Sequence, residues 1–162
     1  MDYVYGDTYG LIHLIASLLA LVTGTLVLVM RKGTRQHRQV GYGYVVSMGV
    51  LILTAFMIYR LYNGWGVFHY TTVAILITMA LGMVPIWLKK PVGKWQYRHF
   101  SFMYWSVIGL YSAFAAEVLT RVPQTPFFGM VGLAFVILMI AGGVVFASNR
   151  SKWSKQFRKE KI

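Results

Sequence analysis

Four histidines are the side chains best suited to chemistry in a chain that has no cysteine and only four acids: His13, His37, His69 and His99. An imidazole offers a nitrogen ligand, a proton acceptor and a proton donor near neutral pH. Each histidine falls in a different apolar stretch. His13 and His69 share one level, at the outer ends of the first and third stretches; His37 and His99 share the other, at the inner entries to the second and fourth. In an up-down bundle the first and third helices are diagonal, and so are the second and fourth, so either pair faces across the axis. Bis-histidine ligation of a haem b iron asks for that arrangement. Arg35, Arg38, Lys94 and Arg98 lie beside the inner pair as candidates for the propionates. The plainer alternative is that interfacial histidines only hydrogen-bond a carbonyl or a lipid headgroup.

The acid of interest is Glu117. His99, Met103, Ser106, Ala113 and Glu117 recur at helical spacing, which puts them on one face of the fourth stretch. Arg121 follows Glu117 by four residues, the spacing of a salt bridge along a helix. Alternatively, Glu117 joins His13 and His69 in an outer polar pocket walled by Ser17 and Thr72, where a carboxylate orients an imidazole or relays a proton. His13, His69 and Glu117 also offer a candidate zinc set, and with it a membrane hydrolase, though carboxylates are scarce in this chain and zinc sites without cysteine usually gather three histidines or histidine with Asp or Glu. Met48, Met57, Met79, Met83 and Met103 are expected to pack rather than bind copper. No serine elbow, Gly-rich nucleotide loop or His-Glu-x-x-His helix is present, so the known soluble enzyme classes gain no support.

These side chains need elements to hold them, and the composition says in what solvent. With 57% hydrophobic and 12% charged residues, the 162-residue chain is too apolar for a soluble domain. Apolar stretches at roughly 11–30, 40–62, 68–88, 99–120 and 127–148 each approach the ~20 residues that cross a ~30 Å hydrocarbon layer. The expected fold is an all-α integral membrane domain spanning 1–162, with five transmembrane helices. Short connections make four of them an up-down four-helix bundle, with the fifth packing against it. The net charge of +12 is concentrated in alternate polar segments: Arg31, Lys32, Arg35 and Arg38, then Lys89, Lys90, Lys94 and Arg98, then the tail 149–162. That pattern places the N-terminus outside and the C-terminus in the cytoplasm. It also argues for anionic lipid headgroups, not nucleic acid, as the partner of the basic clusters. Acidic and aromatic residues precede the first stretch, so it reads as a retained helix and not a signal peptide.

Tyr59, Tyr62, Trp65, Phe68 and Tyr70 are expected to mark the outer interface; Trp87, Trp95, Tyr97 and Trp153 the inner one. The fifth stretch has no charge or histidine, and its Gly129, Gly132, Gly142 and Gly143 point to close packing, over the bundle or in a homo-oligomer.

The strongest local signature runs from Lys32 to Val45, with His37, Arg38, Gly41 and Tyr44 at helical spacing and Met48 beyond. It resembles the His-Arg-x-x-Gly-x-x-Tyr pattern of a bacterial family of predicted multi-spanning membrane proteins, domain of unknown function 2306. His99-x-x-x-Met103 is similar to that family's second landmark, and the resemblance covers about residues 10–122. It implies a protein of the bacterial cytoplasmic (inner) membrane and supplies no activity. The histidine layout looks like that of small membrane b-type cytochromes, except that two-haem members carry two ligands on each of two helices and this chain offers one per helix. The leading expectation is a haem-binding electron-transfer protein that exchanges electrons with a quinone or a respiratory partner protein. Its rival is a non-redox accessory factor, assembly factor or small transporter with a His/Glu polar site.

Overall fold

The computed structural model describes residues 8–58, 64–121 and 126–159. Five helices follow one another: α1 (Thr8–Val29), α2 (Arg35–Ala55), α3 (Val67–Leu88), α4 (Trp95–Leu119) and α5 (Phe127–Lys159). There is no strand among the described residues. Four helices, α1, α3, α4 and the Phe127–Phe157 part of α5, are long and apolar enough to cross a membrane. α2 is 21 residues long, but its first half carries Arg35, Gln36, Arg38 and Gln39, which dilute its apolar content. The expected head 1–7, the belt and turn residues Tyr59, Arg60, Tyr62 and Asn63, the turn at Pro123 and Lys161 lie outside the described residues.

Two helix boundaries differ from the sequence expectation. α2 starts at Arg35 and ends at Ala55, whereas the apolar run alone placed it at 40–62. Its start is fixed by Thr34, whose side-chain oxygen accepts the backbone N–H of His37, leaving that histidine in the first turn. Gly33, at φ 76°, supplies the left-handed turn just before this cap. α5 runs on through the basic tail to Lys159, because Trp153 and Phe157 on that extension pack into an aromatic cluster.

The chain divides into two compact units, Met1–Ala74 and Ile75–Ile162, with the boundary inside α3. In the first unit α1 and α2 form an antiparallel hairpin. His13 meets Thr54 at one end; Gly43 faces Thr23 and Gly41 faces Val27 toward the other. Tyr44 and Met48 are fully buried one and two turns beyond Gly41. The conspicuous Gly41, Tyr44, Met48 spacing is therefore the packing stripe of this hairpin.

In the second unit α4 packs antiparallel to α5, and the later part of α3 packs antiparallel to α4. Gly142 approaches Ile108 so closely that a Cβ there would lie 2.9 Å from its Cγ2. Tyr104 donates its hydroxyl to the Gly142 carbonyl at 2.8 Å. Phe100, Tyr104, Phe146, Trp153 and Phe157 continue the seam as a ring cluster. Trp153 is thus engaged in packing, while Trp87 is exposed as an interfacial belt residue should be. Of the four glycines expected to permit close approach, Gly142 and Gly143 face α4, and Gly132 has nothing within 4 Å of an added Cβ.

Candidate functional site

Two histidines of the first unit gather around the C-terminal turn of α2. His13, on α1, places Nδ1 3.0 Å from Oγ1 of Thr54. That hydroxyl also lies 2.9 and 3.0 Å from the Val50 and Leu51 carbonyls, to which its single hydrogen is directed. The network therefore assigns His13 as the Nδ1–H tautomer, donating to Thr54 and carrying its lone pair on Nε2. His69 packs near Phe56, the next residue but one after Thr54, with ring centroids 6.3 Å apart.

His69 is 4% exposed and stacks on Trp65 at 5.5 Å. Its Nδ1 accepts the backbone N–H of Gly66 at 3.2 Å, while the Gly66 carbonyl accepts the backbone N–H of His69. Gly66 sits just before the first residue of α3, so this is the reciprocal arrangement of a capping box with imidazole in place of carboxylate. An accepting Nδ1 carries no hydrogen, so the ring proton of His69 is on Nε2. The two histidines thus hold opposite tautomers.

The other expected members of this pocket are each held locally. Ser17 and Thr72 are buried. Each spends its hydroxyl hydrogen on its own helix, Ser17 on the Leu14 carbonyl and Thr72 on that of Phe68. Glu117 belongs to the second unit, near the C-terminus of α4, where Arg121 Nη2 donates to its Oε1 at 2.5 Å. The side chains of that pair are 54% and 39% exposed, so the salt bridge is the role their spacing foretold. Among the described residues no group of three or more His, Asp or Glu is placed to hold a metal ion.

The other two histidines belong to different units, His37 to the first and His99 to the second. His37 is half-buried in the first turn of α2, and Arg35 and Arg38 beside it are exposed. His99 places Nδ1 2.8 Å from the carbonyl oxygen of Gly82. A carbonyl only accepts, so His99 is also an Nδ1–H tautomer. Met103, one turn further along α4, packs on the same glycine, 2.7 Å from where a Cβ would stand. His99 and Met103 are spaced four apart because both address Gly82 of α3.

A family model for predicted membrane proteins, DUF2306, matches residues 10–149. The chain belongs to that family. The match spans most of the chain, and together with the four apolar helices it makes this a helical membrane protein. No curated protein and no solved structure matches the chain.

Two participants were not singled out from the sequence, and a third has a role there that the sequence did not show. Thr54 is one polar residue at the end of an apolar run, and its level opposite His13 is the signal that finds it. Gly82 accepts through its backbone carbonyl, one residue after the Leu81 carbonyl that Pro85 leaves without its helix partner. Lys32, in the turn after α1, donates Nζ to the Val27 and Leu28 carbonyls at 2.6 Å each, capping the C-terminus of that helix. Burial pulls its ammonium down to about 8.

The donor set fits haem unevenly. A ligating imidazole normally binds through one nitrogen while the other donates to a fixed acceptor. His13 and His99 have that form. His69 has the reverse, with its proton on Nε2 and Nδ1 committed to the cap, so it does not fit as the axial partner of His13 in this conformation.

Proposed function

We infer that this protein handles protons at a paired-histidine site in the first of its two units, as a small non-redox transporter or accessory protein of the bacterial cytoplasmic membrane. The observation that carries the reading is the opposite tautomers of His13 and His69 around one helix turn. One ring bears the acceptor nitrogen and the other the donor at the corresponding position, the complementarity that a proton step between imidazoles uses. Ionisable side chains held at membrane depth are costly and are retained at proton and substrate pathways. The same proposal takes α2 as a fifth span, which sets the N-terminus outside, the basic C-terminus inside and the helices in an up-down bundle. The test is proton flux into proteoliposomes under an imposed pH gradient, read with an entrapped pH-sensitive dye. Flux above that of empty vesicles is expected, with a fall of about a hundredfold in His13→Gln and His69→Gln, the lower end of what a positioned acid or base contributes. Flux equal to that of empty vesicles would overturn the reading.

A second reading, haem-linked electron transfer with a quinone or respiratory partner, is favoured by one observation. His13 and His99 each hold Nδ1–H on a fixed oxygen, the orientation of a ligating imidazole. Haem bound at either would supply a one-electron centre, and the chain's part would be to aim the ring and exclude water. The visible spectrum of protein from cells supplied with a haem precursor decides it. A Soret band that shifts on reduction and disappears in His99→Ala or His13→Ala supports it, and a flat spectrum removes it.

A further inference from the structure

The second unit contains a surface groove of about 610 Å³ with a mostly apolar lining. Its floor is made by Leu81, Val84 and Pro85 of α3 and by Phe102 of α4; Lys90 and Arg98 stand in the same lining. Leu81 and Val84 are substantially exposed, so the floor is open to whatever surrounds the helix. In a membrane-spanning helix that surrounding is lipid.

The turn after α3 determines which cation serves the groove. α3 ends at Leu88, and Lys89 takes a left-handed conformation at φ 52°. Its ammonium lies over the Trp95 ring, 4.3 Å from the centroid. Lys89 is thereby committed to Trp95, and Lys90 is the lysine of this turn that lines the groove. Arg98, in the first turn of α4, lines it as well. The groove therefore runs from an apolar wall along a membrane helix to two exposed cations at that helix's end.

That gradient matches an amphiphile with a hydrocarbon chain and an anionic head. A quinone would leave the cations unused, and a soluble anion would leave the apolar floor unused. A zwitterionic lipid would bring its own ammonium group toward Lys90 and Arg98. We propose that this groove is a specific binding site for one anionic glycerophospholipid, with the acyl chain on Leu81, Val84 and Phe102 and the phosphodiester between Lys90 and Arg98. The site draws on no residue of the first unit and does not depend on the proton reading.

The test is native mass spectrometry of the full chain in mild detergent, incubated with phosphatidylglycerol or with phosphatidylcholine of the same acyl composition. One phosphatidylglycerol per chain should survive collisional activation, and phosphatidylcholine should not. Lys90→Gln with Arg98→Gln should weaken retention by about thirtyfold, at roughly fivefold for each surface cation. Lys152→Gln with Lys155→Gln removes the same charge from exposed positions of α5 and should leave retention unchanged. Equal loss in both double variants, or equal retention of both lipids, would reduce the effect to diffuse attraction and overturn the proposal. Glycerophosphoglycerol, the head without chains, should not displace the lipid; displacement by it would mean an anion site without a chain groove, and would also overturn the proposal.

Discussion

The Nδ1 nitrogen of His99 donates to the carbonyl oxygen of Gly82 across 2.8 Å, one residue after the carbonyl that Pro85 leaves without its helix partner. Pro85 has no N–H for the Leu81 carbonyl four residues back, and its ring crowds that same carbonyl. The Gly82 carbonyl oxygen has two lone pairs, so it can accept from a side chain on α4 as well as from its own helix. His99→Leu is expected to cost about 1 kcal/mol, as for other interhelical hydrogen bonds in membranes. Combining it with Pro85→Ala, which closes the ladder, should give less than the sum of the single effects. Thermal unfolding of the four proteins in detergent measures the coupling; strict additivity would show that Pro85 and the bond are independent.

The α4 and α5 seam makes a second prediction. A Cβ at position 142 would lie 2.9 Å from Cγ2 and 3.1 Å from Cγ1 of Ile108. Isoleucine is branched at Cβ and has little rotamer freedom in a helix, so it cannot swing aside. Gly142→Ala should lower stability by about 1–3 kcal/mol through overpacking. Ile108→Ala on the same background should recover part of that loss, as read from the unfolding midpoints.

The sequence made the helices and their lipid solvent plain, because runs of apolar residues bounded by basic turns have few other readings. It was less informative where side chains compete with the backbone. α2 lies several residues earlier than its apolar run because Thr34 caps it, and an N-cap is decided by one hydrogen bond and not by hydropathy. His69 was legible as a buried histidine, but its commitment to the Gly66 N–H depends on where α3 begins. Thr54 and Gly82, the partners of His13 and His99, are not chemical residues in a sequence; the packing of neighbouring helices makes them so. The Glu117 and Arg121 spacing was fully legible, since i, i+4 pairing needs only the helix.

That pair is expected to matter little. With side chains 54% and 39% exposed, Arg121 and Glu117 exchange one set of solvent contacts for another. Exposed ion pairs of this kind contribute up to about 0.5 kcal/mol. Glu117→Gln should therefore leave the unfolding midpoint nearly unchanged and leave proton flux in proteoliposomes intact. A large loss of flux would return Glu117 to the functional site.

Lys32 gives the chain a pH dependence of predictable sign. Its ammonium, partly buried on the Val27 and Leu28 carbonyls, is pulled from 10.5 down to about 8 by desolvation. Between those two values the unfolded chain holds the proton and the folded one does not, so stability rises with pH across that window. Below about 8 the lysine is charged in both states and the desolvation penalty is fully present. Lys32→Met keeps the stem and removes the titration. The rise in unfolding midpoint between pH 8 and 10.5 should flatten in that variant, and an unchanged slope would assign the effect to another group.

Thr54 is the sharpest test of the histidine site. Its hydroxyl hydrogen is directed at the Val50 and Leu51 carbonyls, which leaves its oxygen to accept from His13 Nδ1–H. Thr54→Val keeps the shape and removes the acceptor, so the ring of His13 loses the contact that fixes its tautomer. Stability should fall by about 1 kcal/mol. The more informative readout is nitrogen-15 NMR of histidine-labelled protein, because the two ring nitrogens report directly which one bears the hydrogen. The wild-type signals of His13 and His69 should show opposite tautomers. In Thr54→Val the His13 signal should move toward a mixture while that of His69, held by the Gly66 N–H, stays in place. Proton flux should fall with it, since a ring that has lost its orientation no longer offers the acceptor nitrogen in a fixed direction. Identical tautomers in the wild type would remove the basis for a proton step between the two rings.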